Sequence, residues 1–119
     1  MAHRIAETPV PPNYAVIFTS QRKANASGYN EMAEELERLL SHQDGYLGHE
    51  SVRDANLTGI TVSYWRDESS IRAWKADAQH RLAQKLGHER WYDDFYVRVA
   101  RVERAYFGPD TTTAERKTD

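Results

Sequence analysis

Apolar positions along this chain change period several times, and each change marks an element. Residues 14–20, YAVIFTS, are β-branched and aromatic with little polar interruption, the pattern of a mostly buried strand. From Ser27 to His42 the period lengthens. Tyr29, Met32, Ala33, Leu36, Leu39 and Leu40 recur at helical spacing and lay one apolar stripe on a helix. Ser27 is the expected N-cap, because its hydroxyl can accept from a first-turn N–H. Glu31 and Glu34 early in the helix, and Arg38 late, complement its dipole. Asp44-Gly45 ends the segment.

Residues 46–53 and 58–65 read as two further strands, and the turn residues Asp54-Ala55-Asn56 between them predict an antiparallel hairpin. On the second of these strands Ile60, Val62 and Tyr64 share one face, while Thr61, Ser63 and Trp65 share the other. Asp67 is the expected N-cap of a second helix. Ile71, Trp74, Ala78, Leu82 and Leu86 form its stripe if it is continuous, with Asp77 the alternative site of a break, and Gly87 its stop. Residues 95–107 make the last strand. Its apolar phase runs odd through Phe95, Val97 and Val99 and even at Val102 and Tyr106, which predicts a bulge or a strand leaving one sheet for another.

The order β-α-β-β-α-β predicts an α+β, ferredoxin-like fold: a four-stranded antiparallel sheet with its helices on one face. The other face needs a cover, and a long final strand is suited to pairing with a second copy. Residues 1–12, with Pro9, Pro11 and Pro12, are expected to be a flexible arm. Residues 13–108 are expected to form the domain, and residues 109–119, PDTTTAERKTD, a disordered tail.

Composition narrows the function classes. A chain of 119 residues makes one domain. Leu, Ile, Val and Phe supply only 21 of these residues, but the net charge is just -2, and 7 Tyr and 3 Trp add apolar bulk. That favours a folded chain over a disordered one, with self-association to complete a thin core. No basic excess points to nucleic acid, and no apolar run reaches the ~20 residues of a membrane span. The N-terminus shows no apolar signal core. The lack of cysteine removes disulfides, thiolate nucleophiles and the usual structural zinc sites, and suits the cytoplasm. The five histidines (3, 42, 49, 80 and 88) include no HxxxH pair, so no metal site is expected. Phosphate loops, nucleophile elbows and dinucleotide fingerprints are absent.

The candidate chemistry gathers in residues 59–84, GITVSYWRDESSIRAWKADAQHRLAQ, where a strand ending in Tyr64-Trp65 leads into a helix bearing Trp74 and His80. His80 is the candidate catalytic base, since imidazole titrates near neutrality and can accept a proton from a phenol-like substrate. Phe18, Tyr64 and Trp74 are the candidate substrate-binding residues, as a stacking cavity. The alternatives are a solvated surface histidine and a tryptophan that is plain core. On a continuous helix His80 lies roughly 120° from Trp74. Trp91 and Tyr92 are expected to anchor the return to the last strand, or to act as a lid. Arg98, Arg101, Glu103 and Arg104 are expected to form a solvated or dimer-contact face.

The element order, the run ITVSYW…IRAWKADAQHRLAQ and the later RWYDDFYVRVARVER resemble the antibiotic biosynthesis monooxygenase (ABM) superfamily over residues 14–107, above all its small stand-alone bacterial members. The resemblance implies a dimeric α+β barrel in which two sheets face each other and the last strands reach across to the partner. Members include cofactor-independent quinone-forming monooxygenases, haem-degrading monooxygenases and proteins with no established activity. For this chain it implies a cofactor-independent monooxygenase acting on a small hydrophobic aromatic or polyketide-like compound. The alternatives are a non-enzymatic dimeric binding or stress-associated module, and a haem-binding relative. Haem-degrading members use an Asn on the first strand, a Trp on the second helix and an iron-ligating His further along it. Trp74 matches that Trp by its context, IRAW, but the His position falls at Ala83-Gln84 and VIFTSQ holds no Asn. Neither haem nor another cofactor is therefore expected. His80 matches a His common in other ABM-like sequences.

Overall fold

Turn chemistry sets the centre of the fold. Asp54 Oδ1 accepts from the N–H groups of Asn56 and Thr58, both at 2.9 Å, which closes the hairpin loop. The two strands it joins fall on the expected residues. In the computed structural model, residues 5–84 and 91–108 are described, the last four of the first stretch by backbone alone. They form β1 (Asn13–Arg22), α1 (Tyr29–Ser41), β2 (Tyr46–Arg53), β3 (Thr58–Trp65), α2 (Glu68–Gln84) and β4 (Tyr92–Val102). The sheet is antiparallel throughout, in the order β2-β3-β1-β4. This is the ferredoxin-like arrangement.

Element ends depart from expectation for tertiary reasons. α1 is capped by Gly28 at φ 84, with no side-chain cap bond, rather than by Ser27. The Ser27 carbonyl instead accepts from Trp91 Nε1 at 2.9 Å. α2 runs unbroken through Asp77, whose carboxylate accepts from Gln43 Nε2 at 3.0 Å and ties the helix to the turn after α1. Asp67 does start α2: its Oδ1 accepts from the Ser70 N–H at 2.9 Å and the Ser70 hydroxyl at 2.7 Å. These bonds, with the Arg66 guanidinium, hold the Asp67 carboxyl well below the usual carboxylate range. β4 begins earlier than expected and ends at Val102, opposite Asn13, the first residue of β1. The phase change beyond Val99 thus falls where the pairing partner runs out. The irregularity in that ladder lies at Gln21/Arg22 instead. Gly87 and the tail lie outside the described residues.

Register assigns the faces. Tyr14, Val16, Phe18 and Ser20 pair with Trp65, Ser63, Thr61 and Gly59 on one side, and with Arg101, Val99, Val97 and Phe95 on the other. This row faces the helices, which pack on β2 and β3. Leu40, Trp65 and Ile71 are buried there, with Tyr14, Val16, Tyr46 and Trp74 against them. On the opposite face Val52, Ile60 and Tyr96 stand exposed. Residues 5–12 adopt no helix or strand and meet this face at Glu50, which accepts from the Ala6 N–H at 2.9 Å. No helix among the described residues is long and apolar enough to cross a membrane.

Candidate substrate-binding site

The helices cover their face of the sheet unevenly. Over the end of β3 at Ser63 and Trp65 the cover is complete. Trp65 is fully buried, with Trp74 stacked at 6.3 Å between centroids and Tyr46 edge-on at 5.8 Å. Over β4 the cover stops. Phe95, Val97 and Val99 point to the helix side, yet stay 38%, 49% and 51% exposed. Phe18 stands beside this strip, 5.5 Å from both Phe95 and Tyr92, and Tyr29 meets Tyr92 edge-on at 5.9 Å. An apolar strip therefore leads along β4 into a group of aromatic rings.

Two arginines close the far end of that group. The guanidinium of Arg22 lies 5.0 Å from the Tyr29 ring centre, and that of Arg53 5.7 Å from it and 6.0 Å from Tyr92. Arg53 is fixed in place, donating to the Leu57 carbonyl at 2.7 Å and to Ser20 Oγ at 2.8 Å, with Tyr29 Oη at 3.3 Å. A Cβ on Gly59 would fall 2.5 Å from the Arg53 Cζ, so any larger residue there would have to displace the guanidinium. Arg22 Nε is buried and, among the described residues, has no hydrogen-bond partner. A buried donor left unpaired costs about 1–3 kcal/mol. Burial, then the hydrogen bond with Tyr29, push the Tyr92 phenol above its ordinary range, while the two guanidiniums pull weakly the other way. Tyr92 therefore stays a neutral phenol at physiological pH.

A second polar group lies on the same face at the β2 edge. Tyr46 Oη is 2.5 Å from His49 Nδ1, and His49 Nε2 is 3.3 Å from Glu37 Oε2 on α1. A neutral ring protonated at Nε2 satisfies both contacts, accepting from the phenol and donating to the carboxylate. Burial, with the nearby Glu37 charge, raises the Tyr46 pKa. The group ties α1 to β2. Strict alternation would put Tyr46 and His49 on opposite faces. A bulge between Tyr46 and Gly48 brings both to the helix side, so that they pair with Trp65 and Ser63. The one signal in the sequence is Gly48, whose φ of 147 suits glycine.

The site residues expected from sequence are divided by the fold. Phe18 and Trp74 share the helix side, Phe18 in the β4 aromatic group and Trp74 on Trp65. Tyr64 is not brought to them. It faces the other side of the sheet and donates to Glu50 Oε1 at 2.7 Å, and burial together with that carboxylate pushes its phenol up to about 12. His80 is exposed on α2, roughly half a revolution from the buried Ile71. Sequence reasoning passed over Arg22, Arg53 and Tyr29, which lie on three different elements. Trp91 is buried and anchors the strand return through Ser27, and its carbonyl accepts from the Lys23 N–H at 2.7 Å. Arg98 lies over the Tyr96 ring at 4.4 Å, and Arg101 meets Glu103 at 3.5 Å. β1 does begin with an asparagine, Asn13, but its neighbour Tyr14 faces the helices and Asn13 faces away.

A ferredoxin-like domain with a half-exposed apolar strip on the helix side of its sheet defines a class of small α+β proteins. The family model described as antibiotic biosynthesis monooxygenase, ABM, matches residues 14–86, and the chain belongs to that family. YqjZ of Bacillus subtilis, an uncharacterised protein, is 46% identical over 100 residues, covering 84% of this chain and 88% of its own length. The jasmonate monooxygenase ABM of Pyricularia oryzae is 30% identical over 92 residues, which is 75% of this chain but only 43% of the fungal enzyme. Among solved structures, a mutant form of SnoaB, a cofactor-independent oxygenase from Streptomyces nogalater, superposes with a TM-score of 0.66 at 10% identity, covering 80% of this chain and 97% of that one. PA3566 from Pseudomonas aeruginosa gives 0.60 at 16% identity, covering 80% and 96%. At such identities the structures share the fold alone.

Proposed function

We propose that this protein is a cofactor-independent monooxygenase that oxidises a small hydrophobic aromatic or polyketide-like compound with dioxygen. The carrying observation is the half-exposed strip of Phe95, Val97 and Val99 beside Phe18 on the helix side. An apolar surface of this kind accepts a flat ring by burial and stacking. A deprotonated phenol or anthrone is electron-rich enough to react with dioxygen directly. The balance is one methylene plus one dioxygen giving one carbonyl and one water. Family membership and the fungal monooxygenase relative support the reaction class. His80 takes the substrate proton in this reading only if the substrate extends past α2, because the ring sits on the solvent side of that helix.

The test is oxygen uptake with an anthrone, in the presence of a chelator and without added flavin or haem. Uptake of one dioxygen per carbonyl formed is expected, falling by about tenfold, or ~1.4 kcal/mol of barrier, in Val97→Asp. Uptake no faster than the uncatalysed rate overturns the reading. Full uptake by His80→Ala removes His80 as the base. Anthrone binding without uptake leaves the binding-module alternative, and a Soret shift with stoichiometric haem revives the haem-binding one. As part of the same reading we place the protein in the cytoplasm as a homodimer joined through the open sheet faces and the last strand. The exposed Val52, Ile60 and Tyr96 support that assembly.

A further inference from the structure

The Arg22–Arg53 end of the aromatic group is not explained by packing alone. Two guanidiniums flank one Tyr29 ring, at 5.0 and 5.7 Å, on the helix side of the sheet. Like charges so placed repel, and an anion bound against them offsets that repulsion. The two arginines also differ in how they are held. Arg53 spends its Nη groups on Ser20, Leu57 and Tyr29, so it supplies a fixed positive field. Arg22 keeps a buried Nε with no partner among the described residues, so it supplies a donor. The group is continuous with the strip: Tyr29 touches Tyr92, and Tyr92 touches Phe18 and Phe95, at centroid distances of 5.5–6.1 Å.

We propose that Arg22, Arg53, Tyr29 and Tyr92 form an anion-recognising subsite, so that the ligand of the strip is an aromatic oxyanion. Such a ligand has a flat apolar body with an ionised carboxylate or phenolate at one end. The proposal rests on the reading of the strip as the substrate site. The body lies along Phe95 and Val97, and the oxyanion reaches Arg22. Arg53 acts as a positioning residue through its field and its contact with Tyr29. For a substrate that reacts as its anion, this end also lowers the energy of the ionised form before dioxygen arrives. A purely structural role would make Arg22 a lid on Tyr29 and Arg53 a strut between β1 and the hairpin loop.

The test is calorimetric titration of the full chain with 2-naphthoate and with its neutral amide, 2-naphthamide, at low ionic strength. The wild-type protein is expected to bind naphthoate at least about tenfold more tightly, equivalent to ~1.4 kcal/mol, with the gap narrowing as salt screens the charges. Arg22→Gln abolishes the preference by weakening naphthoate far more than the amide, with the melting temperature recorded to show that the variant is folded. Arg22→Lys restores part of the preference. Val97→Asp weakens both ligands. Equal affinity for the two ligands, or a preference untouched by Arg22→Gln, overturns the anion subsite while leaving the strip standing. A preference lost in Arg22→Gln but indifferent to Val97→Asp keeps the subsite and removes the strip as its continuation. Binding of neither ligand overturns both.

Discussion

At the scale of single residues, the helix side of the sheet depends on how polar atoms on large rings are satisfied. Trp65 loses all contact with water, and its one donor is met by Ser63 Oγ at 2.9 Å. Trp65→Ala is expected to cost about 3–5 kcal/mol, measured by urea unfolding. Ser63→Ala strands the indole N–H and is expected to cost about 1–3 kcal/mol. Tyr64 shows the opposite sensitivity. Its phenol is pushed from the ordinary 10.0 up to about 12. A folded-state value above the unfolded one makes a contribution that is whole below about pH 10 and is lost as pH rises toward 12. Ultraviolet titration of tyrosinate should show several late phenols, one of which moves down in Glu50→Gln. Much at this scale was readable beforehand. Alternation alone sends Tyr64 and Trp65 to opposite faces, and Asp67 announces its cap. Arg22, Arg53 and Tyr29 were not readable as a group, because they lie on β1, β2 and α1 and only the assembled sheet sets them together.

Among elements, what the chain encodes locally appears where expected, and what depends on a distant partner shifts. β2 and β3 keep their expected bounds because Asp54 fixes their turn within a few residues. α1 starts one residue late because Trp91, far along the chain, takes the Ser27 carbonyl. The β2 bulge was hidden for a similar reason: a glycine in a strand signals irregularity but not its direction. Gly59, in β3, lies beneath the Arg53 guanidinium. A methyl there lands 2.5 Å from Arg53 Cζ, so Gly59→Ala is expected to displace the guanidinium. The expected cost is about 1–3 kcal/mol, typical of overpacking. Chemical denaturation checks it, and a double variant with Arg53→Ala should recover most of the loss, since the clash is then gone.

For the whole molecule, the open face is the unfinished part. A stable interface takes about 800 Å² from each partner, and the part of the sheet face that residues 5–12 leave open, with Val52, Ile60 and Tyr96, offers exposed apolar surface. Sedimentation equilibrium is expected to show a dimer, and the pair Ile60→Asp with Tyr96→Asp a folded monomer. A wild-type monomer at all concentrations would remove the assembly. The expectation of a partner came from the thin core and the long final strand. That β4 stands exposed on both faces was not visible there, because alternation shows which residues share a face but not whether anything covers it. This exposure gives β4 two messages in one strand of 11 residues. On the proposed reading, odd positions, Phe95 to Val99, would address the ligand, and even positions around Tyr96 and Arg98 would address a second copy. Deleting one residue near its start would exchange the two rows at a stroke, so ligand binding and assembly should fail together in such a variant. Substitutions in one row should spare the other.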